Sequence, residues 1–162
     1  MPTIIQPPSS GFTLIELLVT LAITALLATM VVPLAEVTLQ RQREQELKRA
    51  LREIRTAIDA YKHATDAGRI ARAIDRTGYP ETLDILVEGV EDARDPRKAK
   101  IYFLRRIPRD PMHNDYRVSD ADTWGKRSYS SEPSDPQEGA DVYDVFSKSS
   151  AIGLSGIPYR RW

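Results

Sequence analysis

Cysteine is absent from the 162 residues, which excludes a disulfide framework, a zinc ribbon, a thiol nucleophile and a CxxC redox pair. Histidine is nearly absent: His63 and His113 lie fifty positions apart, a poor basis for a histidine metal site or triad. Net charge is missing too. The 23 basic and 23 acidic side chains cancel, so no global field draws the chain to nucleic acid or to an anionic surface. There is no phosphate-cradling glycine loop, nucleophile elbow or acid–base pair at readable spacing, so nothing marks an enzyme. The length allows one ordinary domain, or a small domain with an appended element. The most informative scarcity is local: of all the charged residues, only Glu16 falls within the first 35 positions.

What fills that stretch is apolar. Phe12 to Ala35 is 24 residues, 18 of them apolar, the rest being four threonines, Pro33 and Glu16. The uncharged part, Leu17 to Ala35, spans about 28 Å as a helix at ~1.5 Å per residue, close to the hydrocarbon thickness of a bilayer. A hydrophobic surface all the way round suits lipid or a bundle of like helices. A cleavable secretory signal fits less well: no Lys or Arg precedes the run, it exceeds a usual signal core, and no small-x-small site follows. A carboxylate in this setting costs about 2.5–3.5 kcal/mol on insertion scales unless it stays wet at the interface or finds a partner. Phe12 lies one helical turn before Glu16 on the same face. A cut between Gly11 and Phe12 would create an α-amine one turn from that carboxylate. An amine–carboxylate pair between neighbouring helices would offset the cost of the charge and fix the helices' stagger.

Beyond Ala35 the pattern becomes amphipathic. Leu47, Ala50, Leu51, Ile54, Ala57, Ile58, Tyr61 and Ala64 recur at steps of three and four, one stripe of period 3.6. No Gly or Pro interrupts residues 34 to 67, so the spacing predicts one helix from about Phe12 to about Ala67, kinked or locally melted at Pro33. The soluble stripe is too short for a coiled coil. The basic stretch Arg41–Arg55 reads as a solvated face or as subunit contacts rather than a site for lipid headgroups or nucleic acid.

Residues 68–162 are punctuated by glycine and proline, which forces short elements. Thr77-Gly78-Tyr79-Pro80 predicts a turn before a short helix with Leu83, Leu86 and Val87 on one side. Glu91 to Lys100 predicts an exposed loop. Ile101–Leu104, Val142–Phe146 and Trp124–Tyr129 read as strands. The economical arrangement is α+β: a long N-terminal helix packed on a small antiparallel sheet. The chain then divides into residues 1–11, 12–35, 36–67 and 68–162, that is, a leader, an apolar helix, its amphipathic continuation and a globular region.

Gly11-Phe12-Thr13-Leu14-Ile15-Glu16 at the head of the apolar run resembles the class III signal of type IV pilins and type II secretion pseudopilins. The resemblance implies a type IV pilin-like fold, cleavage by prepilin peptidase after Gly11, N-methylation of Phe12, and a Glu16 that pairs with the N-terminal amine of an adjacent subunit. Pro33 matches a proline the family carries near the far end of its helix. Gly78-Tyr79-Pro80, the segment Tyr102 to Pro111, Trp124-Gly125 and Tyr143–Ser147 are similar to landmarks of the major pseudopilins. Type IVa pilins usually close their last loop with a disulfide, so the lack of cysteine also favours a pseudopilin. The implied function is that of a structural subunit in a helical homopolymer that drives protein export. Minor pseudopilins, prepilin peptidase, an inner-membrane assembly platform and the membrane itself are the implied partners. The implied location is the inner membrane, with the N-terminus cytoplasmic and the globular region periplasmic. Charge counting alone gives the reverse: the leader has no basic residue, and Arg41, Arg43, Lys48, Arg49 and Arg52 would face the cytoplasm. An adhesive or motility pilin, or a membrane-anchored periplasmic binding domain, is the alternative.

The resemblance also implies calcium in the last loop, held by acidic side chains and carbonyls. Here Ser147 to Gly156 contains no carboxylate and has Lys148, whereas calcium prefers several oxygens, usually including carboxylates. No cofactor is therefore expected. Asp141 and Asp144 are expected to solvate the loop, and Trp162 to pin the tail in place of a metal. Asp115, Asp120 and Asp122 fit no EF-hand spacing.

Overall fold

The computed structural model describes residues 11–73 and 75–162. Helix α1 runs unbroken from Leu14 to Asp66, 53 residues. Of the two outcomes expected at Pro33, local melting does not occur. Proline withholds one backbone hydrogen bond, and the turns on either side carry the helix past it. The helix ends in a Schellman motif: the N–H of Gly68 donates to the Thr65 carbonyl and that of Arg69 to the Ala64 carbonyl, both at 2.9 Å. Gly68 sits at φ +68°, which a side chain would disfavour. The chain forms two compact units, divided between Gln40 and Arg41.

Among the described residues of the first unit, α1 carries no tertiary cover. Its described large apolar side chains, from Phe12 to Leu34, are exposed around the circumference. Twelve of these residues (Phe12, Leu14, Ile15, Leu17, Leu18, Val19, Leu21, Ile23, Leu26, Leu27, Val31 and Leu34) are each half exposed or nearly so or more. At about 1.5–3 kcal/mol per fully exposed side chain, scaled to their partial exposure, roughly 10–20 kcal/mol of hydrophobic free energy goes unclaimed in water. That is as large as the whole stability of an ordinary domain, so lipid or other helices must cover this segment.

In the second unit every member of the predicted stripe, from Leu47 to Ala64, is buried. The stripe shares one core with Ile70, Leu83, Leu86, Leu104, Ile107, Trp124, Val142 and Val145. Helix α2, Ile85–Glu88, supplies Leu86, whose carbonyl accepts from the N–H groups of Phe103 and Leu104 at 3.0 and 2.9 Å. That contact shortens the first expected strand. Strand β2 is only Lys100–Ile101, antiparallel to β1, Val90–Glu91. The second pair is β3, Trp124–Arg127, with β4, Asp144–Ser147, Gly125 opposite Phe146. The single expected sheet is thus two separate ribbons. Between them the chain is tied by side chains: the Trp124 indole donates to the Pro108 carbonyl at 2.7 Å. The Ser147 hydroxyl donates to the fully buried Asp110 carboxylate at 2.6 Å. The loop expected to be exposed from Glu91 to Lys100 is partly tied to the end of α1, because Asp92 is buried against Arg69 at 2.6 Å.

Candidate functional site

The N-terminal turn of α1 gives Glu16 a local role. Thr13 is the N-cap and Glu16 the third helical residue. The Glu16 N–H donates to Thr13 Oγ1 at 3.3 Å, and the Thr13 N–H donates to Glu16 Oε2 at 3.4 Å. This is a reciprocal capping box, somewhat long, in an exposed turn. The T-x-x-E spacing that signals it, Thr13 to Glu16, is present in the sequence, a signal separate from the charge of Glu16. Near the helix N-terminus the carboxylate also lies in a favourable field from the backbone dipoles. Gly11 and Phe12 precede the helix and are exposed, Phe12 at 78%. The described residues thus put an accessible peptide bond just before the helix and a lone carboxylate on its first turn.

A second constellation lies where the chain's tail meets the helix. Glu44, Lys48 and Arg55 fall at i, i+4 and i+11, on one side of α1. Glu44 Oε1 accepts from the Leu154 N–H at 2.7 Å and from the Tyr159 hydroxyl at 2.9 Å. The Lys48 ammonium sits 4.5 Å from the centre of the Trp162 ring, and the Tyr159 and Trp162 rings meet edge to face at 5.0 Å. Arg55 donates through Nε to Asp144 at 2.7 Å. Its Nη2 reaches the main-chain oxygens of Val145 and Trp162 at 3.1 and 2.9 Å. Lys48 and Arg55 therefore hold the fold together, and are not simply part of a solvated face. Trp162 is partly buried against the core, as the expected pin.

The two aspartates expected to solvate the loop do not. Asp144 pairs with Arg55 and, at 3.6 Å, with Arg127. Asp141 is buried and accepts from the hydroxyls of Thr77 and Ser128 and from the Tyr129 N–H. Burial pushes its carboxyl up, but those hydrogen bonds outweigh it and leave the pKa below the ordinary value. Both acids lie beside donors from distant parts of the chain, which sequence spacing does not reveal. Around Asp141, Tyr79, Tyr129 and Tyr143 form a ring cluster with centroids 5.0–5.7 Å apart. A recess of about 280 Å³ nearby is lined by Tyr61, Thr65, Arg72, Arg76, Tyr79 and Asp141. Its buried carboxylate is already held by three donors. Among the described residues no three His, Asp or Glu side chains are grouped to hold a metal.

Residues 7–32 match the family model described as the prokaryotic N-terminal methylation motif. The type II secretion system core protein G of Aeromonas hydrophila is 30% identical over 136 residues, which cover 82% of this chain and 87% of that protein. The chain belongs to the type II secretion system core protein G family. Its Pseudomonas aeruginosa relative of the same name is 30% identical over 140 residues, covering 84% of this chain and 91% of that protein. The Escherichia coli one is 31% identical over 110 residues, covering 65% and 68%. No solved structure matches the chain. At more than four-fifths of this chain, the likeness extends well beyond the N-terminal motif. As a member of this family the chain is a membrane-anchored structural pseudopilin that assembles with other pseudopilins and the secretion machinery.

Proposed function

We propose that this pseudopilin matures by cleavage between Gly11 and Phe12 and N-methylation of Phe12, and then polymerises into a periplasmic filament with the apolar segments of α1 at its centre. The observation that carries this reading is the uncovered apolar helix with a single carboxylate on its first turn. In the inner membrane lipid covers that helix; on polymerisation, neighbouring copies do. The exchange of one apolar cover for another leaves the hydrophobic term nearly unchanged. Packing and charge pairing then decide whether a subunit stays in the filament.

Glu16 is the group that makes the choice specific. With the leader gone, Phe12 carries an ammonium, and the Glu16 carboxylate of the next copy is its partner. Minor pseudopilins and an inner-membrane assembly platform would start and drive the polymer, with prepilin peptidase acting first from the cytoplasm. Mass spectrometry of the protein recovered from membranes tests the first step. The expected N-terminal residue is Phe12 carrying one methyl group. An intact Met1, or a terminus beyond Ala35, would remove the filament reading and favour a fixed membrane anchor.

A further inference from the structure

We infer that in this chain the last loop is held shut by a carboxylate from the helix, Glu44, in the place where the resemblance implies calcium, and that its closure is independent of calcium. The donor set of the loop does not suit that ion. Calcium takes six to eight oxygens, with carboxylates prominent among them, and residues 147–156 offer none of the latter. The nearby acids are committed elsewhere: Asp144 to Arg55 and Arg127, Asp141 to Thr77, Ser128 and Tyr129, and Asp110 to Ser147 and the Met112 N–H. The loop also brings its own cation. The Lys148 ammonium donates to the Asp122 carbonyl at 2.9 Å, so that oxygen already holds a cation.

The loop is instead closed by protein groups alone. Its two limbs are joined by hydrogen bonds from Tyr159 N–H to the Ala151 carbonyl at 3.1 Å and from Gly153 N–H to the Ile157 carbonyl at 3.0 Å, with a bridge between Ile152 and Pro158. The Leu154 N–H points away from this ladder and meets Glu44 Oε1. The same oxygen receives the Tyr159 hydroxyl from the far limb. One carboxylate oxygen thus bridges both limbs to α1, with only 8% of Glu44 exposed. Hydrogen bonds to a buried carboxylate are among the stronger kinds. Gly153 lets the limbs approach: a Cβ there would lie 2.7 Å from the Trp162 ring and 3.3 Å from Glu44 Oε1.

The test is thermal unfolding of the full chain in detergent, followed by tryptophan fluorescence, with Trp162 in the tail and Trp124 in the core. The wild type should unfold at the same temperature, to within about 1 °C, in 1 mM calcium chloride and in EGTA. A micromolar site would raise the midpoint by more than about 10 °C in that calcium, and any saturable rise overturns the inference. Glu44→Ala should lower the midpoint by about 5 °C. Glu44→Gln, which keeps an accepting oxygen, should recover most of that loss. Tyr159→Phe should cost less, and the double variant Glu44→Ala/Tyr159→Phe should cost less than the sum of the two single changes, because both remove the bond between Glu44 and Tyr159. If Glu44→Ala does not fold, Tyr159→Phe decides: an unchanged midpoint for it overturns the staple. None of these outcomes depends on filament assembly, so the inference stands or fails separately from the proposed function.

Discussion

Glu16 has two possible duties, and one pair of substitutions separates them. As the third residue of a capping box it secures the start of α1. As a charge it is the proposed partner of the Phe12 ammonium in the next copy. Glu16→Ala removes both. The capping loss is small: caps are worth ~1 kcal/mol, and these exposed bonds of 3.3–3.4 Å belong nearer ~0.5 kcal/mol. Glu16→Gln keeps the oxygen that accepts from Thr13, since glutamine serves in this motif as well as glutamate does, and removes only the charge.

The charge term is the larger one. Two unit charges 4 Å apart attract by about 4 kcal/mol at an effective dielectric of 20. Part of that is offset by desolvation when the pair leaves the interface. Even half the attraction, about 2 kcal/mol, changes an association constant some thirtyfold per contact, and each subunit of a homopolymer makes the contact twice. Glu16→Gln should therefore insert normally, show wild-type helix content in membranes, and yield filaments at least tenfold scarcer by crosslinking at a fixed globular-domain position. Glu16→Ala should assemble no better and have a frayed first turn by amide exchange. If Glu16→Gln assembles like the wild type while Glu16→Ala fails, the residue is only a cap and the proposed pairing is wrong.

Three further outcomes follow from the globular unit. In Gly125→Ala the new methyl would lie 2.3 Å from the Phe146 ring, so the ring must leave its place over β3; a loss of about 1–3 kcal/mol in denaturant unfolding is expected, and an unchanged midpoint would show that the ring does not sit there. Arg55→Lys keeps the charge but not the fork that reaches Asp144, Val145 and Trp162 together; it should lose most of the stability lost in Arg55→Ala, about 1–2 kcal/mol given the partial exposure of the pair, and full rescue by lysine would reduce the contact to simple charge attraction. Asp92, through Arg69 and the Arg94 N–H, and Asp141, despite its burial, both have lowered pKa values. Their stabilising effect is present above the unfolded value near 3.9 and is lost as pH falls through the folded values. The melting midpoint should be level from about pH 5.5 to 7 and decline below about pH 4, and a midpoint that rises on acidification would contradict this.

The helix was legible from the sequence because its signals are periodic and local. The stripe from Leu47 to Ala64 is buried without exception, and the stop at Gly68 falls at the first glycine after the proline. The strands were legible in kind but not in extent. The N–H groups of Phe103 and Leu104 go to the Leu86 carbonyl and not to a neighbouring strand; competition of that sort is tertiary and leaves no period in the sequence. The same limit applies to the acids. Asp141 lies far along the chain from Thr77, and Asp144 from Arg55, so nothing in their surroundings in the sequence distinguishes them from solvated loop residues. Glu44 shows the limit most clearly. It lies within the stretch Arg41–Arg55, which reads as a solvated face or subunit contacts, and yet it accepts from Leu154 and Tyr159, more than a hundred residues away.

These contacts also suggest why the chain places its charges as it does. An apolar helix that passes from lipid into a filament core can carry charge only where a partner waits, and in residues 12–35 that leaves the single carboxylate at the first turn. Past Gln40 the same helix is the wall against which a thin globular region must be held without disulfides. The core there is small, so polar attachments matter more than they would in a large domain. Glu44, Lys48 and Arg55 supply them along one side of the helix, while the stripe on the adjoining side supplies the apolar core. A substitution at any of the three should loosen the tail before it disturbs the stripe. Trp162 fluorescence should therefore respond at lower denaturant than Trp124 in such variants, and a single coincident transition would mean that tail and core unfold as one.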